Sequence, residues 1–326
     1  MTTNQGTDRS TTPTGQPRTG RPLADRVAVV AGATRGAGRG VAVALGEAGA
    51  TVWCTGRSTA GHRSDYDRPE TVEETAELVT AAGGTGVVAV TDHTDDGDVR
   101  DLFARVEAEH GGLDILVTSL GGEHRHGEWD RPVWEQDVST GRQILRGTLE
   151  AHLLTATHGL GLLHRRPGGL HVGLTDGDAA YNDGHYRINA YVDLVKTGIT
   201  RLARSFGEEL APHGGTALAV SPGWLRSEMM LDGFGVTEET WQQAWVGPEA
   251  KGPPSFAVSE SPRFVGRCIA AVAADPDRSR WNQRSTTSEE LGRVYGVTDV
   301  DGSQPRAWSY IVALGSGEEV DVSDYR

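Results

Sequence analysis

Short unbroken apolar runs alternate along this chain with longer stretches whose apolar residues recur every three or four positions. The runs at 27–31, 50–55, 86–90, 113–117, 169–174 and 216–220 are rich in Val, Leu, Ile and Ala, as strands buried on both faces are. Between and after them, 71–82, 99–109, 141–165, 191–210 and 263–274 carry the helical period, with Leu102, Phe103 and Val106 marking one such face. Strands that alternate with helices in this way predict an α/β fold in which helices cover both sides of a parallel sheet. Residues 1–22, mostly Thr, Gly, Pro, Gln and Arg, bury almost nothing and read as a disordered tail. The core domain is expected over 23–280 and a polar C-terminal extension over 281–326. Within the core domain, 229–261 has no clear period and reads as a mobile segment.

The first apolar run feeds Gly32-Ala-Thr-Arg-Gly36-Ala-Gly38 and then an Ala-rich helical stretch. Strand, glycine turn and helix N-terminus form a cradle for a dinucleotide, because a side chain there would hold the backbone away from a pyrophosphate. A second strand follows where a βαβ unit requires one, so the fold is read as a Rossmann-type doubly wound parallel sheet, three layers in a single domain.

Composition narrows the partners. The 326 residues carry a formal net charge of −14, which argues against nucleic acid or an anionic membrane as partner and mainly favours solubility. No apolar run has the length of a membrane span. The two cysteines, Cys54 and Cys268, lie in apolar surroundings without metal or redox spacing, as buried thiols in a cytoplasmic protein do. His124 and His126 have no third ligand at a recognised spacing, so no metal is expected.

Several signals then coincide in order: the glycine turn, Asp92 after the third strand, Leu113-Asp-Ile-Leu-Val117, the helix from Lys196 to Gly214, and Ser221-Pro-Gly223. Over about 23–274 the chain resembles the short-chain dehydrogenase/reductase family. The resemblance implies a nicotinamide cofactor held by Gly32, Thr34, Arg35, Gly36, Ala37 and Gly38, with Asp92 and His93 beside the adenine. It further implies Leu120 and Gly121 under the nicotinamide ribose, and Pro222, Gly223, Trp224 and Ser227 closing over the nicotinamide end. The family's acidic residue after the second strand, which selects NAD, is replaced here by Gly56, followed by Arg57 and Ser58. With Arg35 nearby, two guanidinium groups suit a 2′-phosphate, and NADP(H) is the expected cofactor.

The same resemblance implies a Tyr and a Lys four residues apart on one helix. Lys196 stands in place, but Val192 occupies the tyrosine position and Tyr191 lies five residues away, turned about 100° around a regular helix. A local π-bulge, or a helix start shifted by one residue, would return Tyr191 to the substrate. The family's serine aligns with Asp176, next to Thr175, and its helix asparagine falls near Thr148. The catalytic candidates are therefore Lys196, Thr175, Asp176 and a displaced phenol, Tyr191 or Tyr186, with Tyr181 and His185 in the same loop. Trp129, Trp134, Trp224 and Trp245 are candidate walls of an apolar substrate pocket. The expected activity is hydride transfer to or from a carbonyl or imine. The alternative is a protein that keeps the fold without redox chemistry, as a cyclase, isomerase, dehydratase or scaffold. The resemblance implies a small-molecule substrate and a substrate lid at 229–261 that moves on binding, and family habit implies a homodimer or homotetramer through the helices at 141–165 and 191–210.

Overall fold

The computed structural model describes residues 20–121, 128, 131–317 and 319–326. The elements, in chain order, are β1 (Val27–Ala31), α1 (Gly36–Glu47), β2 (Thr51–Gly56), α2 (Val72–Ala81), β3 (Thr85–Val90), α3 (Asp96–His110), β4 (Ile115–Thr118), α4 (Val138–Leu145) and α5 (Ala151–Leu163). They continue with β5 (Leu170–Leu174), α6 (Ala179–Gly184), α7 (Ala190–Leu210), β6 (Thr216–Ser221), α8 (Glu228–Phe234), α9 (Pro262–Ala274), β7 (Ser285–Thr287), α10 (Ser288–Tyr295) and α11 (Ala307–Gly315).

The strands form one parallel sheet in the order β3-β2-β1-β4-β5-β6-β7. The chain winds outward from β1 to β3, returns beside β1 as β4, and winds outward the other way. That reversal opens a crevice at the carboxyl ends of β1 and β4, where ligands of such sheets bind. Because successive strand residues face opposite sides, Val30, Cys54, Val117, Val172 and Val220 pack under α1 and α9. Val29, Trp53, Leu116 and Ala217 pack on the other side against Phe103, Leu163 and Phe206. Each large apolar side chain buried this way contributes about 1.5–3 kcal/mol. Helices α1 and α9 touch backbone to backbone, since a Cβ at Gly40 would stand 2.1 Å from the Pro262 carbonyl oxygen.

Local signals start and stop the helices. Thr71 accepts from the Glu74 N–H at 3.1 Å and Asp95 from the Asp98 N–H at 3.0 Å, capping α2 and α3. Gly111, at φ +70, ends α3. Burial pushes the Cys54 thiol up to about 12, and both cysteines are free and buried.

Three features differ from the sequence reading. The long helix at 141–165 is interrupted by one turn of π-helix, Arg146–Glu150, with Thr148 buried in it. The extension over 281–326 is not an appendage, because it supplies β7 to the sheet edge and lays α10 and α11 against the domain. The lid segment is built on a core of its own: Trp241 is buried with Ala244 and Phe256, and Trp224, Met230, Phe234 and Trp245 pack around them. The Arg226 and Arg326 guanidinium groups lie 4.3 and 4.1 Å from the Trp241 ring. Arg226 is fully buried and is satisfied by Glu238 at 2.7 Å and Asp299 at 3.1 Å. None of the described helices is long and apolar enough to cross a membrane. The tail through residue 19, together with Glu123, His124, His126 and Trp129, lies outside the described residues.

Candidate active site

A cavity of about 980 Å³ follows the carboxyl ends of the strands from the loop after β2 to the helix α11. Its floor is the glycine turn. A Cβ at Gly32, which has φ +83, would stand 2.2 Å from the Ser119 carbonyl oxygen, and one at Gly38 would stand 2.0 Å from the Gly32 carbonyl oxygen. Only glycine lets this turn close on itself and keep its outer surface bare. Gly38 supports the turn from behind, while Gly32, Thr34, Arg35, Gly36 and Ala37 line the cavity.

The N-cap residue of α1, Arg35, makes no side-chain cap, so the first N–H groups of the helix are left for partners from elsewhere. One of them is engaged from the lid: the Gly36 N–H donates to Glu228 Oε2 at 2.8 Å, and Glu228 Oε1 lies 3.6 Å from Arg39 Nε. A carboxylate therefore sits where the helix end attracts an anion.

At one end of the cavity β2 finishes at Gly56, where a Cβ would meet Thr34 Oγ1 at 2.6 Å, so the turn itself keeps this position bare. Arg57 Nη2 reaches Asp65 at 2.7 Å and its Nη1 lies 3.8 Å from Asp92. Arg35 reaches Glu70 at 3.2 Å and Ser58 Oγ at 3.4 Å, and its guanidinium stands 5.7 Å from the Tyr66 ring. His62 and Arg63 of the same loop also line the cavity and went unnoticed in the sequence, where nothing separates them from a solvated loop. Partial burial works to raise the Asp92 carboxyl, but two bonds from Thr94 and the charge of Arg57 hold it below the usual range. The His93 ring turns into the core between Thr55 and Thr155, at 2.7 and 2.9 Å, and burial lowers it to about 3, so it stays neutral.

The other end is built from the ends of β4, β5 and β6. Leu120, Gly121, Thr175, Asp176, Lys196, Pro222, Gly223, Trp224 and Ser227 all line it. Thr175 donates its hydroxyl to the Lys196 carbonyl oxygen at 2.8 Å, which fastens α7 to the end of β5. Asp176 forms an ion pair with Arg187. Ile188, at φ +64, then turns the chain toward α7, a conformation a β-branched residue seldom adopts.

The displaced phenols are not at this wall. Helix α7 is regular from Ala190, where Asn189 caps it by accepting from the Val192 N–H at 2.9 Å. The π-turn lies on the neighbouring helix instead. Tyr191 consequently points at α4, with its ring so close to Gly141 that a Cβ there would stand 2.2 Å from it. Val192 is 1% exposed and packs with Ile144 and Val195. Tyr186 is 67% exposed and lies outside the cavity lining. Tyr181 stacks on His185 and meets Trp308 edge-on. Of the tryptophans, Trp224 lines the cavity, Trp245 joins the lid core and Trp134 is exposed. The far wall comes from residues the sequence did not flag: Met229 and Met230 of α8, and Trp308 and Ile311 of α11. Trp308 Nε1 donates to the Pro222 carbonyl oxygen at 2.9 Å. Its only sequence signal is an apolar helical repeat after Pro305.

Comparison with known proteins agrees with this geometry. Residues 32–248 match the family described as enoyl-(acyl carrier protein) reductase. The dehydrogenase/reductase SDR family member 1 of Mus musculus is 31% identical over 284 residues, covering 86% of this chain and 85% of its own. The cis-4-hydroxycyclohexanecarboxylate dehydrogenase of Sinomonas cyclohexanicum is 31% identical over 211 residues, 65% of this chain and 78% of its own. A solved short-chain dehydrogenase from Mycobacterium thermoresistibile shares the fold, with a TM-score of 0.69 at 18% identity over 92% of this chain and 95% of its own. With its parallel seven-stranded sheet, its glycine turn and these relatives, the chain belongs to the short-chain dehydrogenase/reductase family, whose members use nicotinamide cofactors.

Proposed function

We propose that the protein is an NADP(H)-dependent oxidoreductase acting on the carbonyl, alcohol or imine of a small molecule through a non-standard catalytic site. The observation that carries the cofactor preference is the pair Arg35 and Arg57, both lining the cavity beside Gly56, which stands at the end of β2 in place of an acidic residue. The bare glycine turn, and the uncapped α1 end that already attracts a carboxylate, fit the pyrophosphate. Gly32, Thr34, Arg35, Gly36 and Ala37 would hold such a cofactor, which would supply or accept the hydride.

The protein's own groups supply the rest. Lys196 brings an ammonium to the end of β5, on a helix that Thr175 holds in register. Val192 offers no proton, and Asp176 is taken up by Arg187. Lys196 is thus assigned both the ribose and the proton delivered to the substrate oxygen, where its charge also stabilises the developing alkoxide. Trp224, Met230, Trp308 and Ile311 enclose the body of the substrate and exclude water. The dehydrogenase of a hydroxylated carbocyclic acid among the relatives is in keeping with such a chamber.

The test follows consumption of NADPH and NADH, by their absorbance, against a panel of cyclic and aromatic ketones. Turnover with NADPH at least about tenfold above NADH is expected. Tight NADPH binding with no turnover on any substrate would favour the second reading, a fold that keeps the nucleotide without redox chemistry, which the apolar Val192 supports. A related expectation concerns the lid. Glu228→Gln should bind NADPH about threefold to tenfold more tightly, because the carboxylate no longer competes with the pyrophosphate for the α1 end. Calorimetry reads this directly, and an unchanged affinity would mean that Glu228 leaves at no cost.

For assembly, a homodimer or homotetramer through α5 and α7 is the proposed state. Leu145, Leu149, Leu153 and Leu154 line an apolar groove there, with Leu194 exposed on α7. The free, buried thiols suit a cytoplasmic location.

A further inference from the structure

Glu260 stands just ahead of α9, 0% exposed, and is tied to the chain leaving β6. Its N–H donates to the Trp224 carbonyl oxygen and its own carbonyl accepts from the Arg226 N–H, both at 2.8 Å. The side chain reaches further along the same segment. Oε2 accepts from the Gly223 N–H at 3.0 Å and from the Ser288 hydroxyl at 2.6 Å, while Oε1 has no hydrogen-bond partner among the described residues. The turn is pressed closely against this support, since a Cβ at Gly223 would stand 2.9 Å from Glu260 Oε2 and 2.6 Å from the Ala307 Cβ. Trp308 holds the Pro222 carbonyl oxygen from the other side. The Gly223 N–H, which also reaches Ser288 Oγ at 3.2 Å, and the Pro222 carbonyl oxygen, which also accepts from the Ser221 hydroxyl at 3.1 Å, are therefore each met by a side chain from a distant part of the chain.

The charged and titratable groups facing Glu260 are Arg226 from the β6 exit, Asp299 from the loop before α11 and Cys268 of α9. Burial raises the carboxyl to about 8; the bonds from Ser288 and Gly223 and the charge of Arg226 only partly oppose this, and Asp299 adds to it. At neutral pH Glu260 is a neutral acid, which is how a carboxyl with one partnerless oxygen is tolerated in an apolar setting.

A dinucleotide whose pyrophosphate lies on α1 and whose adenosine lies over the ends of β2 and β3 extends its nicotinamide half over the ends of β4 to β6. Pro222 and Gly223 line the cavity on that half. We propose that Glu260 is a positioning residue, which holds the Pro222–Gly223 turn in place against the nicotinamide half of the cofactor. The assignment rests on the dinucleotide reading above.

Calorimetry with two probes tests it: NADPH, which spans the cavity, and adenosine 2′,5′-bisphosphate, which fills only the adenosine half. Glu260→Ala is expected to weaken NADPH by about tenfold or more, leaving the fragment within about twofold, because the Gly223 N–H keeps only the longer contact to Ser288 Oγ, at 3.2 Å, and Ser288 itself loses the carboxyl that holds its hydroxyl. Glu260→Gln keeps the acceptor and should remain within about threefold for both probes. Equal losses for the two probes, or none, would overturn the assignment. A wild-type protein that binds neither probe overturns the dinucleotide reading and the assignment together. If the alanine variant does not fold, pH gives the answer. Between about pH 7 and about pH 9 the wild-type affinity for NADPH should fall several-fold relative to the fragment, as the acid ionises and its partnerless oxygen draws in water. Glu260→Gln should show no such fall, and a flat wild-type ratio counts against the idea.

Discussion

Replacing Arg35 and Arg57 together by alanine is expected to weaken NADPH by about a hundredfold or more while leaving NADH within about threefold. Each charge-assisted bond to a phosphate is worth about 1.5–3 kcal/mol, and about 1.4 kcal/mol is a factor of ten. Arg57 is 55% exposed, which puts its share at the low end. The loss has a second source. Arg57 now neutralises Asp65 and faces Asp92, and Arg35 neutralises Glu70. Without the guanidinium groups, Asp65 and Asp92, which line the cavity at this end, lose their neutralising charge and repel a 2′-phosphate. The measurement is calorimetry at a fixed ionic strength of about 0.1 M, since exposed charges are screened beyond about 10 Å there. A wild-type protein with equal affinity for the two cofactors would remove the basis for the NADP(H) preference.

The second large effect concerns the proton. Lys196→Met is expected to lower kcat/KM by about 10² to 10⁴, the range spanned by general acid–base groups, while Tyr191→Phe and Tyr186→Phe remain within about twofold of wild type. The contrast follows from placement: Lys196 lines the cavity, Tyr191 is pressed on Gly141, and Tyr186 faces outward. Binding of NADPH by the Lys196→Met variant, measured separately, divides its ribose contact from its part in proton transfer. Loss of turnover in Tyr191→Phe would sink this assignment and would require α7 to shift by a residue on substrate binding.

The amino-acid pattern made much of the fold legible, together with many of the residues that line the cavity. The glycine turn, Arg57, Asp92 and the Pro222–Gly223 turn are local motifs whose surroundings follow from a strand ending beside a helix start. The interruption at Arg146–Glu150 left no trace, because one extra residue in a turn barely alters an apolar repeat. β7 was equally silent. Ser285–Thr287 has no apolar run, and it is a strand only because β6 offers it an edge, with Val220 opposite Thr286.

The sequence by itself determined β1 to β6 and the longer helices, that the strands run parallel, and that the first turn is a glycine turn between a strand and a helix start. Those properties depend on periodicity and on neighbours a few residues apart. Tertiary structure alone decided the side chains around the chemistry. Glu228 reaches a helix end 192 residues away in the chain, Trp308 braces a turn 86 residues before it, and Glu260 meets Gly223 across 37. Such pairings arise from how helices and loops stack on the finished sheet. They leave no period, since each residue is placed by the packing of elements that lie far from it along the chain.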